Sequence, residues 1–232
     1  KSAWISNGPT ASNATLFLNL DPAMGMSGGG ICLIDLDQPG VTRGRPLDKM
    51  GQRELPQGEI FFDNAVVPGE FMIVDQESYE SMTELTLAHA NAGMGAFFTG
   101  LSQACFDLTR QYTTERVQGG KRLCEHQWVQ KKLFDMFLRI ETARAYSRAA
   151  LNYAMNVTPP DVRYSIVAKV YSTQAAFEVA SDCVQIFGGY GLTKELPIEK
   201  LFRDARAGMI EDGSNDSLAL TAGNMLVKEV LD

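Results

Sequence analysis

The chain has 232 residues, of which 45% are hydrophobic and 21% charged, a balance typical of globular proteins rather than disordered or fibrous ones. Its net charge of −7 and scattered Lys and Arg residues offer no basic surface to a phosphate backbone, so we expect no nucleic-acid partner. We also expect no membrane span, because no run reaches the roughly 18 apolar residues that one needs. The four cysteines form no C-x-x-C pair and only two histidines are present, so we expect free thiols and no metal site.

Short β-rich segments separated by Gly, Pro, Asn and Asp turns occupy residues 1–76 and predict a small all-β domain. The predicted strands are residues 3–6, 15–18, 30–34 and 59–62. The glycine-rich segment 25–30 lacks the Gly-Lys-Ser/Thr of a phosphate-binding loop and precedes a strand, which favours a hairpin connection. Because the chain starts at Lys1 directly before a strand-like segment, we expect a further domain upstream.

From about residue 77, apolar residues recur at three- and four-residue steps, which is typical of amphipathic helices. The pattern predicts four long helices, over residues 79–116, 127–156, 160–187 and 197–230. Prolines at 159–160 and glycines at 188–191 lie at the expected boundaries. The predicted class is therefore α+β: a barrel- or sandwich-like β-domain over residues 1–76, followed by an antiparallel four-helix bundle over 77–232.

Two segments of the helical region carry residue types suited to binding or catalysis. Residues 185–191 read Q-I-F-G-G-Y-G; a helix C-cap explains one glycine, whereas three would also let the backbone approach a bound anion. Residues 211–216 read E-D-G-S-N-D, which is either a solvated turn with a helix N-cap or a loop that presents a catalytic carboxylate to a cleft. The residues alone leave both interpretations open.

Taken together, these segments resemble the acyl-CoA dehydrogenase family of flavoproteins along essentially the whole chain and in the family's order. The similar motifs are W-I-S-N-G at 4–8, K-M-G-Q-R at 49–53, F-D-N-A-V-V-P at 62–68, E-R at 115–116, G-K at 120–121, E-H-Q at 125–127, the glycine segment at 185–191 and R-D at 203–204.

The resemblance implies an oxidoreductase that uses FAD in fatty acid metabolism. A carboxylate would remove the α-proton of an acyl-CoA while the β-hydride passes to flavin N5, and an electron-transfer flavoprotein would collect the electrons. Trp4 would pack against the flavin ring, the Ser6 hydroxyl would reach N5, and Arg116 would bind the pyrophosphate across a dimer interface. The other implied FAD contacts are Gln127, Gln185, Gly188, Gly189, Ser214 and Asp216.

The resemblance further implies a homo-oligomer, dimer or tetramer, formed through the helical domain. Relatives of this kind work in the bacterial cytoplasm or the mitochondrial matrix, so we expect one of these locations. We also expect His126 and Lys121 to cap or brace the start of the helix at Gln127 rather than to take part in chemistry, because a lone His is usually structural and a Lys usually solvated.

The sequence departs from the family pattern around the catalytic base. Asp212 stands where the family has Glu, with Glu211 as the reserve candidate and Gly213 beside it as a substrate contact. Since Asp is one methylene shorter, we expect the α-carbon to sit closer, or a different proton to be removed, as in relatives that handle alicyclic acyl-CoAs. The remaining departures are Ala90 at an alternative base position, Asn91 in place of the arginine beside it, and Gly119 in place of an aromatic residue.

These departures leave two alternatives to a catalytically active dehydrogenase. One is a non-catalytic or partial subunit that assembles with a complete paralogue. The other is a flavin-dependent oxidase or monooxygenase of the same fold.

Overall fold

The structure, a computed structural model, describes residues 2–231, with the side chains of Ser2 and Met26 outside the description. It divides the chain into two compact units, one ending at Glu84 and the other beginning at Leu85. The first unit is built mainly of strands and the second mainly of long helices, so the predicted α+β class is confirmed. Among the described helices, none combines the length and the apolar character needed to cross a membrane.

The first unit contains two antiparallel three-stranded sheets, ordered β1-β5-β4 and β2-β3-β6. Their strands are β1 (Ser2–Ser6), β2 (Asn13–Asn19), β3 (Gly29–Asp35), β4 (Val41–Arg43), β5 (Gln57–Phe62) and β6 (Met72–Val74). Both sheets contribute to one core around Ile34, Leu36 and Ile60. The sequence did not predict β4 and β6, because three residues are too few to display an alternating pattern.

The glycine-rich segment 25–30 connects two paired strands, as predicted. Strands β2 and β3 pair in antiparallel register from Asn13 with Asp35 to Asn19 with Gly29. Gly29 itself belongs to β3, and a Cβ there would lie 2.2 Å from the ring of Tyr79. This glycine is therefore required by the close approach of an aromatic ring.

Five α-helices follow among the described residues: α1 (Tyr79–Glu115), α2 (Gln127–Asn156), α3 (Val162–Phe187), α4 (Ile198–Ala207) and α5 (Asn215–Leu231). A short hairpin of β7 (Val117–Gln118) and β8 (Lys121–Arg122) separates α1 from α2. The prediction of one continuous helix over 197–230 is wrong, because residues 208–214 form a loop. Asp212 and Gly213 have φ angles of 50° and 87°, which a right-handed helix does not allow.

The core of the helical unit lies where α1, α2, α3 and α4 meet. It is formed by Cys105, Met136, Ile140, Val179, Ala180, Cys183, Phe187, Ile198 and Ala205. A second contact uses small residues: a Cβ at Gly95 of α1 would lie 2.5 Å from Ser147 Oγ of α2 and 3.1 Å from the Ala168 carbonyl oxygen of α3. These helices are therefore held at fixed spacing, and α3 supports the loop that precedes α5.

Candidate active site

In the β-unit, the residues expected to face a flavin lie on an irregular part of β1. Trp4 has a φ of 62°, and the pairing of β1 with β5 shifts register between Ser2 and Ile5. The Trp4 side chain is 67% exposed, so a large aromatic surface is left open on a bulged strand. Ser6 accepts a hydrogen bond from the Gln57 amide at 3.1 Å, and Gln57 in turn accepts one from Lys49 Nζ at 2.9 Å.

In the helical unit, Arg116 follows the last residue of α1 at the start of the β7–β8 hairpin. Gly119 and Gly120 form its tip with φ angles of 62° and 81°, so the glycine that replaces an aromatic residue here satisfies the turn. The Arg116 carbonyl accepts from the Leu123 amide at 2.9 Å, which fixes the backbone, while the side chain is exposed.

His126 and Lys121 both contact backbone near the start of α2, as a bracing role requires. A ring nitrogen of His126 lies 2.9 Å from the Gln118 carbonyl oxygen, and Lys121 Nζ donates to the Glu125 carbonyl oxygen at 2.9 Å. Both side chains thus hold the hairpin against the start of α2, although neither caps the helix directly.

A cavity of about 470 Å³ opens between this hairpin and the glycine segment that follows α3. Its inner wall contains the rings of Tyr112 and Phe187, stacked with centroids 4.1 Å apart. The full lining is Tyr112, Arg116, Gln118, Leu123, Ile186, Phe187, Gly188, Gly189, Tyr190 and Thr193. The cavity thus combines an exposed guanidinium, a stacked aromatic pair and glycine backbone.

The three glycines of this segment are under different structural constraints. Gly188 ends α3 with a φ of 60°, and a Cβ at Gly191 would lie 2.6 Å from the Val184 carbonyl oxygen. Gly189 has neither constraint, because nothing lies within 4 Å of the position where its Cβ would be. Since it lines the cavity, the open space beside it is accessible to a ligand.

The cavity brings together only part of the predicted set: Arg116, Gly188 and Gly189. Gln127, the first residue of α2, and Gln185, in the last turn of α3, are exposed but outside its lining. Ser214 acts as an N-cap, since its Oγ accepts from the Ser217 amide at 3.2 Å, and Asp216 lies exposed in the first turn of α5. The helix-cap interpretation of this segment is therefore correct for Ser214.

The loop 208–214 presents the two candidate bases. The Asp212 side chain is exposed and Glu211 is half-buried. The loop is closed by backbone hydrogen bonds from Glu211 N to the Ala207 oxygen at 3.0 Å and from Asn215 N to the Met209 oxygen at 2.9 Å. A positive φ is uncommon for a non-glycine residue and points to a conformation imposed by its surroundings.

A buried lysine that the sequence analysis missed lies beneath this loop. Lys169 of α3 has no exposed surface, and its Nζ donates to the Gly213 carbonyl oxygen at 2.6 Å and to Asn215 Oδ1 at 2.9 Å. Burial lowers the pKa of Lys169, and the carboxylates of Asp212 and Glu211 oppose that shift. The sequence does indicate that this lysine is buried, because Lys169 falls three residues after Ile166 on the apolar face of α3.

The alternative base position on α1 carries no carboxylate. Ala90 is exposed, whereas Asn91 is only 3% exposed and its Oδ1 has no hydrogen-bond partner among the described residues. Asp212 and Glu211 therefore remain the candidate bases in the helical unit.

Comparison with known proteins gives consistent findings. The family model for the acyl-CoA dehydrogenase C-terminal domain matches residues 80–226. The chain is 34% identical over 216 residues to the short/branched chain specific acyl-CoA dehydrogenase of Rattus norvegicus, covering 92% of this chain and 49% of the rat protein. It is 30% identical over 225 residues to the cyclohexane-1-carbonyl-CoA dehydrogenase of Geobacter metallireducens, covering 97% and 58%.

A solved structure gives the same result for the fold. The butyryl-CoA dehydrogenase of Megasphaera elsdenii matches with a TM-score of 0.91 at 31% identity, over 97% of this chain and 58% of that one. This chain therefore spans about half to three fifths of the length of these relatives.

Proposed function

The chain belongs to the acyl-CoA dehydrogenase family, and on that premise we propose that the protein is an FAD-dependent acyl-CoA dehydrogenase, an oxidoreductase acting on a CH–CH bond. The observation that carries the proposal is the exposed carboxylate of Asp212, on a loop fixed by backbone hydrogen bonds and by Lys169. A carboxylate on such a loop can point into a cleft while its backbone stays in place.

The residues present fit FAD in both units. Arg116 offers an exposed cation to a pyrophosphate, and Gly189 offers backbone without a side chain in the way. In the β-unit, the exposed Trp4 ring suits packing against an isoalloxazine, and the Ser6 hydroxyl suits a polar contact with it. Bound FAD would supply the acceptor for the β-hydride. We assign supporting contacts to Gln127, Gln185, Gly188, Ser214 and Asp216.

Asp212 would remove the α-proton, with Glu211 as the reserve. An α-proton beside a thioester is a weak acid, so the site must stabilise the developing enolate by hydrogen bonds to the thioester oxygen and exclude water around the base. Gly213 has an exposed backbone next to Asp212, which suits it to contact the substrate.

The shorter side chain of Asp212 points to an acyl-CoA that differs from a straight chain. A base one methylene shorter needs the reacting carbon closer to the loop. An alicyclic acyl group places its α-carbon relative to the loop differently from a flexible straight chain. The similarity to an enzyme named for cyclohexane-1-carbonyl-CoA supports testing ring-containing thioesters first. We assign an electron-transfer flavoprotein as the electron acceptor from the family resemblance.

An apolar face on α2 supports the expected homo-oligomer. Trp128 is 68% exposed, and Phe134, Phe137 and Leu138 are about half exposed or more. Phe134, Phe137 and Leu138 line a shallow groove together with Ala145 and Ala149. An exposed apolar area of this kind favours association with another chain, and we propose a second copy of this one. Sedimentation equilibrium should give a dimer or tetramer; a monomer at high concentration would contradict this.

The function is tested by spectroscopy on the purified protein. It should contain FAD, and anaerobic addition of an acyl-CoA from a panel of straight, branched and alicyclic thioesters should bleach the flavin. A protein that takes up no FAD, or whose flavin is bleached by none of the panel, contradicts the proposal. Rapid oxygen consumption without another acceptor would instead favour the oxidase alternative.

A further inference from the structure

We propose that Lys169 is a positioning residue for proton abstraction: from beneath the loop it fixes the backbone directly after the residue that carries the Asp212 carboxylate. This inference rests on the proposed function, because it concerns the same loop. It adds a residue of α3, which lies more than forty positions earlier in the chain.

The contacts of Lys169 reach both the loop and the helix that follows it. Its Nζ donates to the carbonyl oxygen of Gly213, the residue directly after Asp212, and to the side chain of Asn215, the first residue of α5. Asn215 is itself held by donating to Thr173 Oγ1 at 3.0 Å, one helical turn beyond Lys169 on α3. The loop and the start of α5 are thus attached to α3 by two side chains, Lys169 and Thr173, which share Asn215 as a partner.

Burial of the ammonium argues against a role in packing alone. Removing a charged amine from water is costly, and an apolar side chain of similar volume would fill the same space without that cost. The partners that Lys169 reaches all belong to the loop 208–214, the start of α5 or the adjacent turn of α3. The acidic residues that act on it electrostatically are Asp212 and Glu211, so the loop that it holds offsets part of the cost of burying its charge.

The conformation of Asp212 gives this attachment a consequence for catalysis. Its φ of 50° is uncommon for a non-glycine residue, although aspartate adopts it more readily than most, and the peptide that follows it is held by Lys169. If the Gly213 carbonyl is released, the peptide that follows Asp212 can rotate and the carboxylate can move. A displacement of about 1 Å between a base and its proton costs on the order of 100-fold in rate.

The test compares Lys169→Met with a matched control, Lys132→Met. Lys132 of α2 forms an ion pair with Asp182 of α3, away from the loop. Loss of this ion pair should therefore affect stability alone. The measurements are FAD content, the rate constant of flavin reduction at saturating acyl-CoA, and the isotope effect with α-deuterated substrate. For Lys169→Met we expect retained FAD, a rate constant lower by about 100-fold, and a larger isotope effect, because proton removal becomes more rate-limiting.

Lys169→Arg separates positioning from general stabilisation, since it keeps a cationic donor and should recover part of the lost rate. A Lys169→Met protein that reduces its flavin as fast as the Lys132→Met control overturns the proposal. So does a Lys169→Arg variant that is stable but no faster than Lys169→Met.

Failure of the proposed function would be recognised separately, because the parent protein would then not be bleached by any acyl-CoA. In that case hydrogen exchange measures directly how firmly the loop is attached to α3. Lys169→Met should speed exchange at the amides of residues 211–217 relative to Lys132→Met, and equal exchange overturns the proposal.

If Lys169→Met does not fold, Thr173→Val weakens the same network. It should speed amide exchange over the same residues, and unchanged exchange again overturns the proposal.

Discussion

Replacing Gly191 and Gly189 by alanine separates a glycine required by packing from one available to a ligand. At Gly191 the new Cβ would lie 2.6 Å from the Val184 carbonyl oxygen and 3.1 Å from Phe187 Cβ. The first of these atoms is backbone in the last turn of α3 and cannot move without opening the helix end. At Gly189 the new methyl group meets no atom within 4 Å.

The two substitutions should change the free energy of unfolding by different amounts and in different directions. Forcing a methyl group into a filled space costs about 1–3 kcal/mol, so Gly191→Ala should lower the free energy of unfolding by that amount. In a chain of this size, about 1 kcal/mol corresponds to a fall in melting temperature of about 2–4 °C. Gly189→Ala should be neutral or stabilising by up to about 1 kcal/mol, because alanine restricts the unfolded chain.

Thermal unfolding and FAD titration of the two variants together provide the assay. Gly189→Ala should weaken FAD binding by about tenfold, equivalent to about 1.4 kcal/mol, because its methyl group projects into the space proposed for the cofactor. Equal melting temperatures for the two variants would refute the packing argument. Unchanged FAD affinity in Gly189→Ala would refute the ligand role of Gly189.

Two further predictions concern the stability and reactivity of the helical and β-units. Asp161 caps α3 by accepting from the Arg163 amide at 2.9 Å, and the Arg163 guanidinium holds the pKa of Asp161 below its usual value. Asp161→Ala should therefore cost about 1–2 kcal/mol in urea unfolding at pH 7. The cost should shrink below about pH 4, as protonation removes the parent's advantage; a pH-independent cost would contradict this. Under native conditions, N-ethylmaleimide should label Cys124 first, because the other three cysteines, Cys32, Cys105 and Cys183, are buried; peptide mapping that finds Cys105 labelled as fast would contradict this.

The fold could be predicted largely from the sequence because its signals are local. Three of the long helices have many turns of apolar repeat, and prolines and glycines mark their ends. The break in the fourth predicted helix falls at Gly208 and the E-D-G-S-N-D segment, whose turn and N-cap residue types were recognised but were not used to divide the predicted helix. The departure is a backbone property, the positive φ of Asp212 and Gly213, and Lys169 of α3 donates to the carbonyl oxygen of this segment.

The site could be predicted only in part, for a related reason. Motif residues such as Arg116 and Gly189 can be read individually, and the structure places both beside one cavity. Lys169 acts through two acceptors more than forty residues away, and no local pattern encodes those contacts. Gly191 cannot be told apart from Gly188 and Gly189 in the sequence. The reason that a glycine is needed there is the short distance from its Cβ position to the Val184 carbonyl oxygen.

The most direct test of the central claim is anaerobic single-turnover reduction of the flavin by the best acyl-CoA, in Asp212→Asn and in Glu211→Gln. The two variants remove one neighbouring carboxylate each and leave the loop length unchanged. We predict that Asp212→Asn retains FAD but loses a factor of about 10²–10⁴ in reduction rate, the usual contribution of a general base, whereas Glu211→Gln stays within a few-fold of the parent. Reduction of Asp212→Asn at the parental rate would contradict the account.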